Sequence, residues 1–133
     1  MTQEVRPVAV VTGASRGAGK GIALALGGRG STVYVTGRSE RAGDAPLPGT
    51  IHETAAEIER LGGHGIAVSC DHGDDAQVRA LFERVAREQD GRLDILVNNA
   101  CAIPDELVQP GGFWEKPLSL LSLLNVGMRS NYV

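Results

Sequence analysis

The sequence has little cysteine, no basic excess and no long apolar run, and each shortage closes off a class of function. Its 133 residues hold only two cysteines, Cys70 and Cys101. They form no CxxC, and no Cys/His spacing suits zinc. A disulfide scaffold is excluded, no metal site is expected, and a reducing, cytoplasmic setting is the default. Acidic residues number 16 against 13 Lys and Arg, for a formal net charge of −3. Non-specific nucleic-acid binders carry a basic excess, so no nucleic-acid partner is expected. The apolar run Val8–Val11 is too short for a signal-peptide core, and Glu4 precedes it. The leucine-rich stretch Leu118–Met128 is too short to span a bilayer, and Ser119, Ser122 and Asn125 interrupt it. A membrane partner is not expected either. Neither an internal repeat nor a low-complexity segment occurs.

Glycine is the opposite case. The chain has 18 glycines, roughly twice ordinary usage. The remaining composition, 42% hydrophobic and 22% charged, is that of a globular domain. The length suits one domain or a piece of one, and a chain this long can bury a core.

Elements alternate along the chain. Val8–Thr12 is a short β-branched run stopped by Gly13 and reads as a buried strand. A helical stripe of Ala18, Ile22, Ala25 and Leu26 follows, ended by Gly27, Gly28 and Gly30. Thr32–Thr36 is a second strand, and the Pro- and Gly-containing stretch Arg38–Gly49 is a loop. Thr50 and Glu53 form a capping box for a helix over Ile51–Leu61. Ile66–Cys70 is a third strand. Asp74 or Asp75 caps a helix reaching about Gln89, with Gly91 as its stop. Leu93–Val97 is a fourth strand. After a Pro- and Gly-rich loop, Pro117 is placed to begin a fourth helix running towards the end of the chain. Strand–helix repeated four times calls for a parallel sheet with crossover helices, an α/β domain.

The first strand–helix turn reads Thr12-Gly13-Ala14-Ser15-Arg16-Gly17-Ala18-Gly19. A helix N-terminus offers unpaired N–H groups and about half a positive charge, both suited to a pyrophosphate. Gly13 permits the tight turn, Gly17 lets a cofactor approach the backbone, and Gly19 allows close packing of helix on strand. A nucleoside-triphosphate P-loop is excluded: Ala14 stands where its first Gly belongs, and Gly21 stands where a Ser or Thr should follow Lys20. The usual GxGxxG spacing is absent as well.

This G-x-x-x-G-x-G spacing after Thr12 resembles the short-chain dehydrogenase/reductase family. Asn98-Asn99-Ala100 at the end of the fourth strand resembles the family's NNAG motif, with Cys101 in place of its Gly. Asp71 follows the third strand, where the family places an Asp near the adenine, and His72 beside it has a place near the same base. Asn125 resembles the family's catalytic-site Asn. The Arg38–Gly49 insert, Phe113-Trp114-Glu115 and Asn125-Val126-Gly127 look most like the branch called dehydrogenase/reductase member 1. The resemblance covers essentially the whole chain. It implies a Rossmann-type, three-layer parallel sheet of strand order 3-2-1-4, truncated, with residues 1–133 as the N-terminal part of a single dinucleotide-binding domain. It implies a cofactor site at Gly13, Ser15, Arg16, Gly17, Ala18, Gly19, Arg38, Asp71, His72, Asn98 and Ala100, and a small-molecule alcohol or carbonyl substrate.

The cofactor is read from the end of the second strand. NAD enzymes of this fold usually carry Asp or Glu there for the ribose 2′-hydroxyl. Thr36-Gly37-Arg38-Ser39 has no carboxylate, and Arg16 lies in the glycine turn. A guanidinium pairs a phosphate through two charge-assisted hydrogen bonds, so NADP(H) is expected over NAD(H). In the resembled family a Tyr acts as general acid/base, a Lys four residues later lowers its pKa, and a Ser orients the substrate. The tyrosines here are Tyr34 and Tyr132 and the lysines Lys20 and Lys116, none in that spacing. Of the family's catalytic set only Asn125 is present, and the rest is expected beyond Val133. The chain is therefore expected to be the cofactor half of the enzyme and inactive alone. The alternatives are a non-catalytic dinucleotide-binding or assembly module, and a nucleotide-sugar or methyl-donor enzyme of Rossmann type. An open edge on the fourth strand and an apolar last helix point to a homo-oligomer.

Overall fold

The computed structural model describes residues 5–133, so Met1–Glu4, including the Glu4 of the N-terminal reading, lie outside the described residues. Strands β1 (Val8–Val11), β2 (Thr32–Gly37), β3 (His64–Ser69) and β4 (Ile95–Val97) make one sheet of order β3-β2-β1-β4, parallel at every pairing. Helices α1 (Gly17–Gly27), α2 (Ile51–Arg60) and α3 (Asp75–Glu88) are the crossovers. This is the three-layer, 3-2-1-4 arrangement expected from the sequence.

The two central strands explain the layers. A parallel sheet covered on both faces needs nearly continuous apolar strands, and every residue of β1 and β2 is buried. Their side chains alternate between faces. Ala9, Val11, Val33 and Val35 pack with Ala23 of α1 and with Ile51, Ala55 and Ile58 of α2. Val8, Val10 and Tyr34 pack with Val78, Leu81 and Val85 of α3. The buried Tyr34 hydroxyl donates to Glu88 Oε2 (2.8 Å) and accepts from Gln89 Nε2 (2.9 Å), so its polar end is satisfied.

Several boundaries and one element differ from the sequence reading; β1, β2 and α2 each end one residue from the expected position. β3 runs from His64 to Ser69 and not from Ile66 to Cys70. β4 keeps only Ile95–Val97; just before it, Asp94 donates its N–H to the Val8 carbonyl oxygen (2.9 Å) and accepts from the Val8 N–H through its carboxylate (2.7 Å). The expected long fourth helix is absent. Leu118–Leu121 is a 3₁₀ turn, α4 is only Ser122–Asn125, and Arg129–Tyr132 is another 3₁₀ turn. Helices draw most of their stability from packing an apolar face on a neighbour. Here Leu118, Leu121, Leu124 and Met128 stay exposed, and the chain leaves the α-helical path at Val126 (φ −107°, ψ 100°), with Gly127 following at φ +133°.

Candidate functional site

The glycine turn sits at the carboxyl end of β1, the edge where open α/β sheets bind ligands. Gly13 has φ +64°, and a Cβ there would stand 2.9 Å from the Ala100 Cα. A Cβ on Gly19 would strike the Gly13 carbonyl oxygen and the Asn99 amide. These two glycines bring α1 onto the ends of β1 and β4. Gly17 (φ +59°) is different: its missing Cβ faces open space. The helix behind it begins without a cap. Arg16, at the N-cap, is extended and makes no side-chain capping bond, and the first turn carries no acidic residue. The exposed Gly17 and Ala18 therefore lead with backbone N–H groups, and Ser15 is buried behind them.

Thr12 and Asn99 hold this turn, and neither was among the sequence-derived site residues. The buried Thr12 hydroxyl accepts from the N–H groups of Asn99 and Ala100 (2.9 Å each) and donates to the Val97 carbonyl oxygen at 3.3 Å. That uses its full hydrogen-bonding capacity. The Asn99 side-chain amide donates to the carbonyl oxygens of Thr12 (3.0 Å) and Gly13 (3.1 Å). Both residues stand inside the motifs read from the sequence. Their task is to brace the turn, while the neighbouring Asn98 is exposed and Ala100 half-buried at the rim.

The end of β2 forms the next wall. Arg38 is exposed and Ser39 buried. The Arg16 guanidinium donates through Nη2 to Ser39 Oγ (2.7 Å) and to the Gly49 carbonyl oxygen (3.0 Å), and through Nε to that of Pro48 (3.1 Å). None of the ion pairs among the described residues involves Arg16 or Arg38.

The exit from β3 completes the row. Burial, helped by Asp71 and Asp74, pushes the Cys70 thiol up to about 11. The Asp71 carboxylate accepts from the Gly73 N–H at 2.8 Å, shaping the loop. His72 is buried, with Nε2 2.8 Å from Thr36 Oγ1, and desolvation lowers its pKa despite Asp71. Asn125 lies across this same loop: a Cβ on Gly73 would be 3.6 Å from its Nδ2. The tail carrying it is tied down twice. The Ala102 N–H donates to the Val126 carbonyl oxygen (2.8 Å), and Arg129 Nη1 to Asp75 Oδ1 (3.0 Å). All the candidate residues thus line one edge of the sheet. A concavity of about 460 Å³ lies elsewhere, between α3 and Val133, and contains none of them. Among the described residues no group of three His, Cys, Asp or Glu side chains could hold a metal ion, and no helix is long and apolar enough to cross a membrane.

A glycine turn braced on the end of β4 in a 3-2-1-4 sheet has a known counterpart. Residues 7–113 match the sequence model of the short chain dehydrogenases. The chain belongs to the short-chain dehydrogenase/reductase family. It is 46% identical over 129 residues to mouse dehydrogenase/reductase SDR family member 1, covering 95% of this chain and 39% of that protein. A short chain dehydrogenase from Mycobacterium thermoresistibile superposes with a TM-score of 0.79 at 34% identity, over 95% of this chain and 43% of that one. A metagenomic short-chain oxidoreductase in complex with NADP gives 0.78 at 30% identity, over 95% and 52%. The chain therefore spans about two fifths of the length of the curated relative it matches. Within the short-chain dehydrogenase/reductase frame, Cys101 in the place of the motif glycine is exposed. The tail covers one side of it, since a Cβ on Gly127 would be 3.0 Å from the Cys101 Cβ.

Proposed function

We propose that this chain is the cofactor-binding part of an NADP(H)-dependent short-chain oxidoreductase that acts on an alcohol/carbonyl pair. The observation that carries the reading is the uncapped start of α1, with Gly17 open in front of it and Asn98–Ala100 beside it. Gly13, Gly17, Ala18 and Gly19 would take the pyrophosphate, Asp71 and His72 would flank the adenine, and Asn98 and Ala100 would line the path towards the nicotinamide. When bound, the nicotinamide supplies the hydride transfer. The residues of this chain bind and orient it.

The preference for the phosphorylated cofactor rests on β2. It ends at Gly37 without a carboxylate, and the exposed cation Arg38 follows it. A 2′-phosphate is stabilised by such a guanidinium, whereas a 2′-hydroxyl is best held by an acid. Calorimetric titration with NADPH and NADH tests this, and NADH affinity equal to or above that for NADPH refutes it.

Asn125 is assigned to the substrate side of the site as the one member of the family's catalytic set within these residues. The 133-residue chain is expected to bind cofactor in the cytoplasm without turning it over. NADP-linked turnover by a chain verified at 13.9 kDa would refute that. A homo-oligomer is part of the same reading. Phe113 and Trp114 are 87% and 82% exposed, and Leu96 of the edge strand β4 is exposed too, a surface that favours association. Light scattering that returns the monomer mass at all concentrations would remove this element. The second reading is a dinucleotide-binding or assembly module without chemistry. Native-source protein of 13.9 kDa that binds NADPH tightly would support it.

A further inference from the structure

The two arginines beside the glycine turn do different jobs. Arg38 is exposed. Arg16 is engaged three times, by Ser39 Oγ and by the carbonyl oxygens of Pro48 and Gly49, at the two ends of the Arg38–Gly49 segment. A guanidinium has five N–H groups in a fixed fork. These bonds take the Nε hydrogen and both Nη2 hydrogens, which leaves only Nη1 for anything else. A bidentate grip on a phosphate through Nη1 and Nη2 would have to break an existing bond.

The segment that Arg16 holds is itself built to be held. Gly49 has φ +111°, and a Cβ there would collide with the Ser15 carbonyl oxygen and come within 3.2 Å of the Arg16 Cβ. The Ile51 N–H donates to the Ser39 carbonyl oxygen (2.9 Å), which closes the base of the segment. Its tip is folded by Asp44, whose Oδ2 accepts from the N–H groups of Glu40 (2.9 Å) and Arg41 (2.8 Å). Those two bonds hold the Asp44 carboxyl below its ordinary pKa.

We infer that Arg16 is a positioning residue: it clamps the Arg38–Gly49 segment onto the glycine turn, and the closed clamp sets Arg38 where it selects a phosphorylated ribose. This rests on the dinucleotide-binding reading above. Selectivity for the 2′-phosphate is then a property of the segment's closed shape as much as of Arg38's charge, because a pre-placed guanidinium loses less freedom on binding.

The test uses the 133-residue chain with two probes, 2′,5′-ADP and 5′-AMP, and one readout that needs no ligand. Arg16→Lys keeps the charge and loses the fork. Gly49→Ala forces the segment off the turn, and Ser39→Ala removes one partner without touching the backbone. The first two variants are each expected to lower the preference for 2′,5′-ADP over 5′-AMP about tenfold, with Ser39→Ala following at a few-fold. Affinity for 5′-AMP should move less than twofold. The Arg16→Lys/Gly49→Ala double variant should lose no more than either single one, since both open the same clamp. Trypsin should cut after Arg41 faster in all three single variants, because loosened loops are the preferred sites of nicking. A wild-type chain that prefers 2′,5′-ADP, with variants that leave both preference and cutting rate unchanged, overturns the clamp and spares the cofactor reading. Losses that multiply in the double variant overturn it too. A wild-type chain without preference overturns the cofactor reading and the clamp with it.

Discussion

Three helices each follow a strand of the same sheet, and they start in two different ways. α2 and α3 satisfy their own first N–H groups. Thr50 accepts from the Glu53 N–H (3.1 Å) while Glu53 returns a bond to the Thr50 N–H (2.9 Å). Asp74 accepts from the N–H groups of Ala76 and Gln77, and Asp75 adds an acid to the first turn of α3. α1 has neither a capping side chain nor an acid in its first turn. A cap is worth about 1 kcal/mol, so α1 forgoes stability that its neighbours take. The difference shows which helix start keeps its first N–H groups free of side-chain partners, and it is the start on which the proposed pyrophosphate site rests.

That contrast can be broken most directly by giving α1 what the others have. Ala18→Asp places a carboxylate in the open first turn. The folded chain should gain up to about 0.5 kcal/mol from the helix dipole. NADPH binding should fall on the order of a hundredfold, because two like charges would share one site. Isothermal titration beside a thermal melt reads both, and unchanged binding would mean that the end of α1 is not the phosphate site.

The brace behind the turn comes next. Thr12→Val keeps the shape and strips the hydroxyl, leaving the N–H groups of Asn99 and Ala100 without their acceptor. A loss of about 2 kcal/mol is expected in urea unfolding, together with weaker NADPH binding. A loss below about 0.5 kcal/mol would show that water replaces the hydroxyl. Thr50→Ala sharpens the comparison from the other side: about 1 kcal/mol less stability, with NADPH affinity within twofold. An equal fall in affinity would mean that the start of α2 also serves the ligand.

The smallest effect is set by pH. His72, in the loop leading into α3, has its pKa lowered from the ordinary 6.5 by burial. The unfolded chain takes up this proton at a pH where the folded chain still refuses it. Stability should therefore decline as pH falls below about 6.5. His72→Gln, which retains a partner for Thr36, should flatten the urea midpoint over that interval. A slope that survives the substitution would assign the decline to other groups.

The legible parts of this molecule were the short-range ones. The capping box at Thr50 and Glu53, an Asp cap at position 74 or 75, the apolar strand runs and the glycine turn are each decided within a few residues, so spacing alone carries them; which aspartate caps α3 is fixed only by the structure, as Asp74. The Arg16 clamp joins positions 32 and 33 apart in sequence, and no local pattern records which carbonyl oxygens a guanidinium will find. The Thr12–Asn99 brace is hidden for the same reason, although both residues stand in recognised motifs. The leucines of 118–124 were misleading in another way. Their density suggests a helix, but a helix needs a surface to cover, and Leu118, Leu121 and Leu124 remain exposed while Leu120 and Leu123 are only half-buried.

The brace has a bearing on how the chain is made. The acceptor on Thr12 and its donor on Asn99 are separated by 87 positions. At translation rates of about 5–20 residues per second, the first turn leaves the ribosome on the order of ten seconds before its fastener. β1, β2 and β3 can pair in that interval, with the glycine turn still slack. The glycine turn is thus made well before the residues that secure it.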